Sequence, residues 1–299
     1  MPGSLGLRID SGSDGAGGDE GLRIAFDVTK TMDGGSNKAT IVVTNLSADS
    51  RSRVVKGAVA RLRAGYGDEL ELIYEGEVRR APQSERQGPD FVTTMECGDG
   101  VEAFRAQDVK KTFPAGTSVK AVILAVAKRF TEALPDDERM PVHFGKTVKK
   151  KTKASRLSVR TLDADLVVLE RSLKEQGFST VLRRALSVSG SANEVMDSLA
   201  RLYRFDWSVQ DGAIQIVAYG ATLIGEAVVL GPETGLLGVP APTDFGCKFT
   251  ALLIPRLRPG AAVVIRSDTL SGQFRLETAH LSGDTRADSW TIECEARSL

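Results

Sequence analysis

The sequence predicts an α+β fold, mainly β, in which two similar small antiparallel β-barrels flank two small α+β units. An internal repeat carries the first part. Residues 57–63, Gly-Ala-Val-Ala-Arg-Leu-Arg, match residues 260–266, Gly-Ala-Ala-Val-Val-Ile-Arg. Each stretch leads through an alternating strand (Leu70–Tyr74, Phe274–Thr278) to a closing strand, Thr94–Cys97 or Thr291–Cys294. The glycines stand 203 residues apart and Cys97 and Cys294 stand 197 apart, so order and spacing both survive. Two self-matches in register are harder to obtain by chance than one. The flanking regions also alternate with a period of two, whereas the middle spaces its apolar residues by three and four.

The elements follow in order. Residues 1–20 are rich in Gly, Ser and Asp, a flexible arm. Gly15-Ala16-Gly17-Gly18 follows no strand and opens no helix, so it reads as linker and not as a phosphate loop. The first barrel is expected over 21–100. Leu22, Ile24, Phe26 and Val28 face one way and Arg23, Asp27 and Thr29 the other. Asp33 to Asn37 has turn chemistry, and Ala39, Ile41 and Val43 form the return strand. Ser47 caps a short helical turn, and strands follow near 57–64, 69–78 and 91–97. The stretch 79–90 reads as a polar loop. Closing such a sheet into a barrel hides its edges.

An α+β insertion with a basic loop is expected over 101–160 and a second α+β unit over 161–220. Val119, Val122, Ile123, Val126 and Phe130 recur at helical spacing after Gly116-Thr117. The design returns behind a capping box, Ser191-x-x-Glu194, where Val195-Met196-x-x-Leu199-Ala200 matches Val122-Ile123-x-x-Val126-Ala127. That helix enters a strand, Tyr203–Val209, which Asp211-Gly212 turns back into Ala213–Val217. A further helix is expected from Leu162 to Gln176, ended by Gly177. The second barrel is expected over 221–299, with a long Gly/Pro-rich loop at 231–245 and a final strand facing Trp290, Ile292, Cys294 and Ala296 to one side.

Composition excludes several classes of function. Lys+Arg and Asp+Glu balance at 39 each in 299 residues, so no global field attracts nucleic acid or an anionic membrane. No apolar run reaches the roughly 18–20 residues of a membrane span. No signal-peptide layout opens the chain, so it is expected to fold in a reducing cytoplasm. Cys97, Cys247 and Cys294 sit on apolar strand faces without a Cys-x-x-Cys pair, and with only two histidines no metal or cofactor is expected. A chain of about 80 residues buries only roughly 60–65% of its unfolded surface, so each barrel should need the other or a neighbouring subunit.

The remaining clusters read as structure, and no enzyme is expected. Asp136-Asp137-Glu138 is a solvated loop and Asp163-x-Asp165 a helix start. His280 with Ser282 and Asp284 lacks a nucleophile elbow and reads as a turn between strands. His143 has no acidic or histidine neighbour at ligand spacing. Lys146, Lys149, Lys150, Lys151 and Lys153 form a flexible basic loop without interleaved aromatics. Nucleic acid is expected there only as DNA passing through a channel.

Several motifs in their order carry a resemblance. They are Leu22–Val28, Asn37–Ile41, Asn45-Leu46-Ser47, Val92–Gly100, Trp207–Gly212, Thr234–Pro240, and Gly283-Asp284-Thr285 before Trp290. Together they resemble the baseplate or tail-tip hub proteins of tailed bacteriophages, related to the hub module of type VI secretion spikes. The likeness spans nearly all of 21–299, and the basic stretch 146–160 falls outside it. It implies two similar barrels with LysM-like units between them, and a homotrimer forming a pseudo-sixfold ring. Such a ring adapts a sixfold tail tube to a threefold central spike or fibre, with distal tail and tape-measure proteins as further partners. The implied place is the virion, after assembly in the host cytoplasm. Doubling a module lets three chains present six near-equivalent surfaces through head-to-tail contacts. The polar segments before each closing strand, 79–90 and 282–288, are then matched interface loops: Arg79, Arg80, Gln83, Glu85 and Arg86 in one, Ser282, Asp284, Thr285 and Arg286 in the other. LysM-like units elsewhere bind peptidoglycan, so a peptidoglycan-binding or cell-wall-degrading tail component is the alternative.

Overall fold

The computed structural model describes residues 22–35, 37–66, 70–99, 108–132, 142–144, 170–171, 173–175, 177–223, 226–287 and 290–299. The expected arm, the basic loop with Lys149, Lys150, Lys151 and Lys153, and both acidic clusters lie outside them. In chain order the elements are β1 (Ile24–Thr31), β2 (Lys38–Thr44), α1 (Ala48–Arg53), β3 (Val59–Ala64), β4 (Glu71–Val78), β5 (Gln83–Gln87) and β6 (Asp90–Gly98). Then come β7 (Asp108–Phe113), α2 (Val119–Glu132), β8 (Val142–Phe144), β9 (Leu186–Ser191), α3 (Ala192–Tyr203), β10 (Phe205–Gln210) and β11 (Ala213–Ala218). Last are β12 (Val228–Leu230), β13 (Leu236–Thr243), β14 (Gly246–Leu252), β15 (Ala262–Arg266), β16 (Ser271–Asp284) and β17 (Thr291–Ser298). They form two compact units. The described residues of 22–31, 37–99 and 226–299 make one, and those of 32–35 and 100–225 the other.

The first unit is a 12-stranded sheet in the order β13-β14-β17-β16-β1-β2-β6-β4-β3, with β12 on β15, β15 on β16 and β5 on β6. Alternation explains it: Ile24, Phe26 and Val28 are buried on β1, Ile41 and Val43 on β2, and Ile292, Cys294 and Ala296 on β17. All belong to one hydrophobic core drawn from both ends of the chain. Each fully buried Ile, Leu or Val there contributes roughly 1.5–3 kcal/mol. Among the described residues the strand pairing runs along an open path and does not close into a ring.

The second half of this sheet repeats the strand pairing of the first, with β12 added on β15, and corresponding hydrogen bonds recur. Gly57 N–H donates to the Val78 carbonyl at 2.9 Å, and Val78 N–H donates to Ala58 at 2.9 Å. Correspondingly, Gly260 donates to Leu276 at 2.7 Å and Leu276 to Ala261 at 3.0 Å. Both glycines hold left-handed backbone, φ +85° and +86°, which a side chain resists. The bond from Asn45 N–H to the Phe91 carbonyl, 2.7 Å, recurs from Leu253 to Trp290 at 3.1 Å. That from Asp99 to Asn37, 3.1 Å, recurs from Ser298 to Phe245 at 2.9 Å. Thus β1 corresponds to β13, β2 to β14, β3 to β15 and β6 to β17, while β4 and β5 correspond to the near and far halves of β16.

The ladders correct one detail of the sequence repeat. Val78 pairs with Cys97 and Ala39 with Cys97; Leu276 pairs with Ala296 and Cys247 with Ala296. The counterpart of Cys97 is therefore Ala296, and Cys294 answers to Met95. A slip of two residues keeps the same face inward, so the alternation alone cannot expose it.

Two further stretches differ from expectation. Residues 231–245 are not a long loop: a 3-10 turn, Pro232–Thr234, leads into β13. Pro240 and Pro242 are tolerated because β13 is an edge strand. Residues 79–90 contain β5, which forms a hairpin with β6 and pairs Gln87 with Asp90.

In the middle unit, α2 and α3 contribute to a single buried cluster that includes Val122, Ile123, Val126, Val195, Met196, Leu199 and Trp207. The capping box is formed, with Ser191 N–H donating to Glu194 Oε2 at 3.2 Å. Hydrogen bonds from the Ser191 hydroxyl and N–H hold the Glu194 carboxyl below its ordinary value. Helix α3 ends at Arg204 in left-handed backbone, φ 50°. β10 and β11 form a hairpin through Asp211 (φ 51°) and Gly212 (φ 72°), the two positive angles of a tight I′-like turn. β7 pairs with β9, and β8 adds to β11 in parallel.

Candidate assembly surface

The two halves of the first unit are joined by β1 lying on the far half of β16. Seven residues pair antiparallel, from Ala25 opposite Asp284 to Thr31 opposite Thr278. Because β1 is a strand with two paired edges, alternate residues serve β2 and β16. The Ile24 carbonyl accepts from Thr285 N–H at 3.0 Å, and Ile24 N–H donates to Thr285 Oγ1 at 2.9 Å. Ile24, Phe26, Val28 and Lys30 therefore address β16.

Side chains reinforce the joint. Arg23 meets Asp284 at 2.7 Å, and this guanidinium holds the Asp284 carboxyl below the usual carboxylate range. His280 Nε2 lies 2.7 Å from Asp27 Oδ2. Phe26 packs edge-on against Trp290 with centroids 5.5 Å apart. Gly283 permits this, since a Cβ there would lie 2.7 Å from the Phe26 ring. Trp290 Nε1 donates to the Asp284 carbonyl at 3.0 Å.

The second set of sequence-predicted interface residues therefore lies at a joint within the chain. Ser282 and Asp284 are not loop residues but the end of β16, which continues past the expected turn because β1 and β17 pair with it there. Thr285 and Arg286 follow in the turn, and Arg286 N–H donates to Asp284 Oδ1 at 2.9 Å. Ser282 Oγ lies 3.3 Å from Thr291 Oγ1, while His280 engages Asp27, so Ser282, His280 and Asp284 do not line up as nucleophile, base and orienting acid.

The first set lies on or just before the corresponding strand, β5, against which no counterpart of β1 is paired among the described residues. Gln83, Glu85 and Arg86 belong to β5, a strand and not a loop, while Arg79 and Arg80 precede it. Arg79 N–H donates to the Glu96 carbonyl at 2.8 Å, and Arg80 pairs with Glu96 at 3.0 Å. All five residues of β5 are exposed, whereas His280–Asp284 on β16 are half-buried or buried beneath β1. Among the described residues β5 pairs only with β6. The turn pair Gln87–Asp90 sets the register, so Gln83, Glu85 and Gln87 bond to β6. Ser84 and Arg86 then direct their backbone groups outward.

The complementary feature was missed by sequence reasoning. β13, the counterpart of β1, ends the sheet and among the described residues pairs only with β14. Opposite Phe249 it carries Gly238-Val239-Pro240, an irregularity in the ladder. Val239 is 72% exposed, and Phe245 in the following turn is 75% exposed. The signal was present as apolar residues among the prolines, but prolines mark a loop as readily as an edge.

The middle unit holds an open groove of about 490 Å³ whose lining includes Met32, Asp197, Arg201, Asp206, Trp207 and Tyr219. Trp207 Nε1 donates to Asp197 Oδ1 at 2.8 Å. Among the described residues no group of three His, Cys, Asp or Glu side chains is placed to hold a metal ion. None of their helices is long and apolar enough to cross a membrane.

No family model matches this sequence. No curated protein matches it either. The fold, however, has relatives. The 43 kDa tail protein of prophage MuSo2 from Shewanella oneidensis superposes over 93% of both chains with TM-score 0.59 at 9% identity. A type VI secretion system component of E. coli, described as structurally similar to the T4 bacteriophage tail proteins gp27 and gp5, aligns over 95% of this chain and 76% of its own with TM-score 0.56 at 10% identity. The tail protein of Neisseria meningitidis MC58 aligns over 92% of this chain and 91% of its own, TM-score 0.54, at 8% identity. The fold of this chain is thus the one found in phage tail proteins and in a type VI secretion component.

Proposed function

We propose that this protein is the structural hub of a phage tail or of a phage-derived injection machine. Three copies form a ring that presents six barrel-like halves, seating a threefold spike or fibre beneath a sixfold tube. The observation that carries this reading is the recurrence of corresponding strands and hydrogen bonds in the two halves of one sheet, in a chain whose fold is that of tail proteins. Six equivalent positions on a tube are satisfied by three chains only if each chain offers its module twice. The middle unit serves as a LysM-like spacer, and any nucleic acid met is DNA passing through the central channel. Tail tube, distal tail, tape-measure and spike proteins are the partners, and the virion is the place of action.

Native mass measurement tests the reading. The expected species is three times the chain mass of 32.0 kDa; a stable dimer or a persistent monomer at high concentration contradicts it. The groove lined by Tyr219 supports a second reading, a cell-wall-binding tail component, because an exposed aromatic ring with the Asp197 and Asp206 carboxylates in the same lining suits sugar rings. Titration with N-acetylglucosamine oligomers separates the two. Binding that disappears in Tyr219→Ala, together with a monomeric mass, favours the second.

A further inference from the structure

We infer that the joint between copies repeats the joint within the chain: β13 of one copy lies antiparallel on the outer edge of β5 of the next. This rests on the hub reading and names the surface by which the ring closes. The intrachain joint sets β1 on the far half of β16. The repeat makes β13 the counterpart of β1 and β5 the counterpart of that half-strand. Both counterparts have one edge paired and one edge open among the described residues. One occupant fits both openings at once, a second copy of this chain. Joined head to tail, three chains alternate three internal and three external joints and leave no β5 or β13 edge over.

The ladders fix the register. On the β13 side, Asp27 pairs with Thr40 and Ala241 with Lys248 at corresponding places, so Ala241 stands for Asp27, and Pro242 stands for Val28. On the β5 side, Ser282 pairs with Thr291 and Glu85 with Val92, so Glu85 stands for Ser282, Ser84 for Leu281 and Arg86 for Gly283. Since Asp27 faces Ser282 and Val28 faces Leu281, Ala241 should face Glu85 of the next copy, and Pro242 its Ser84. The irregular Gly238-Val239-Pro240 replaces Phe26 and brings Val239 toward Phe91, the counterpart of Trp290. In the free chain the Arg51 guanidinium covers Phe91, 4.0 Å from the ring centroid.

The two joints differ in strength for a stated reason. Pro242 has no N–H, so it accepts a hydrogen bond from Ser84 but returns none. The internal ion pair Arg23–Asp284 has Gly235 and Gln87 as counterparts, and Asp27–His280 has Ala241 and Gln83, so neither is reproduced. The external joint is the weaker, which lets each chain fold before the ring closes. The prolines also keep β13 from capturing unrelated sheet edges.

Disulfide trapping tests this. Ala241 and Glu85 are both exposed, and the register makes them a non-hydrogen-bonded pair with Cα atoms about 4.5 Å apart, within disulfide reach. The three native thiols are buried. The double variant Ala241→Cys/Glu85→Cys, oxidised as the full chain, should run as a covalent trimer and no higher on denaturing gels; each single variant should give no interchain product through these positions. A second variant, Ser84→Pro, removes an outward N–H without touching a β5–β6 bond. It should keep the strand content and weaken trimerisation at least about tenfold. A trimer by native mass that neither cross-links nor responds to Ser84→Pro overturns this inference and leaves the hub reading standing. Absence of any trimer overturns both.

Discussion

Gly246 shows how tightly single positions constrain this sheet. A Cβ there would lie 2.0 Å from the Ala296 carbonyl oxygen and 2.8 Å from the Arg297 Cα, both backbone atoms that cannot swing aside. Gly246→Ala should therefore cost more than about 2 kcal/mol, read as a fall in the urea midpoint at unchanged slope. Asp284 makes a pH-dependent contribution. Its folded value is depressed by Arg23, so the stabilisation is fully present above the unfolded carboxylate's pKa and is lost as pH falls through the folded value. Melting temperatures between about pH 2.5 and pH 6 should show a shallower acid limb in Asp284→Asn than in the wild type. An identical limb would mean that the Arg23 pair does not shape acid stability. Residue identities of this kind were only partly legible. The sequence singled out Asp284 as an interface residue, yet its partner lies 261 positions away, beyond the reach of any local pattern.

Elements divide by whether a face is buried. Strands with one wet and one apolar face, such as β1, β2 and β17, were readable because burial imposes period two. So was α3, from its spacing and its cap. The Ser191–Glu194 box satisfies N-terminal donors that would otherwise be unpaired, so Ser191→Ala should cost about 1 kcal/mol in thermal or chemical unfolding. No change would show that α3 is held by packing alone. β5 and β13 escaped detection for opposite physical reasons. β5 buries neither face, so Gln83-Ser84-Glu85-Arg86-Gln87 has no alternation to read; its conformation comes from β6 across a two-residue turn. β13 has apolar residues, but its prolines and its irregularity break the period. Both strands have one open edge among the described residues. The elements that sequence reasoning took for loops are thus those that a neighbouring copy would complete, where local propensity and final structure need not agree.

At the scale of the whole molecule, the first unit behaves as one body because its two halves share a core and a sheet. Phe26 sits at their joint, against Trp290 and above Gly283. Phe26→Ala should cost about 3–5 kcal/mol and lower amide-exchange protection in β6 and β17 together; loss confined to β17 would mean that the halves unfold independently. The doubled plan was legible from two short matches, whereas the direction of the joint was not, since it depends on which strand edge remains open after pairing. The central claim is that one module, used twice per chain, builds a sixfold-like ring from three chains. Electron microscopy of the purified assembly at a resolution that separates strands tests it most directly. The account predicts six similar lobes from three chains, with β1–β16 and β13–β5 joints alternating around the axis. A ring of three lobes, or one whose chains meet away from β5 and β13, would contradict it.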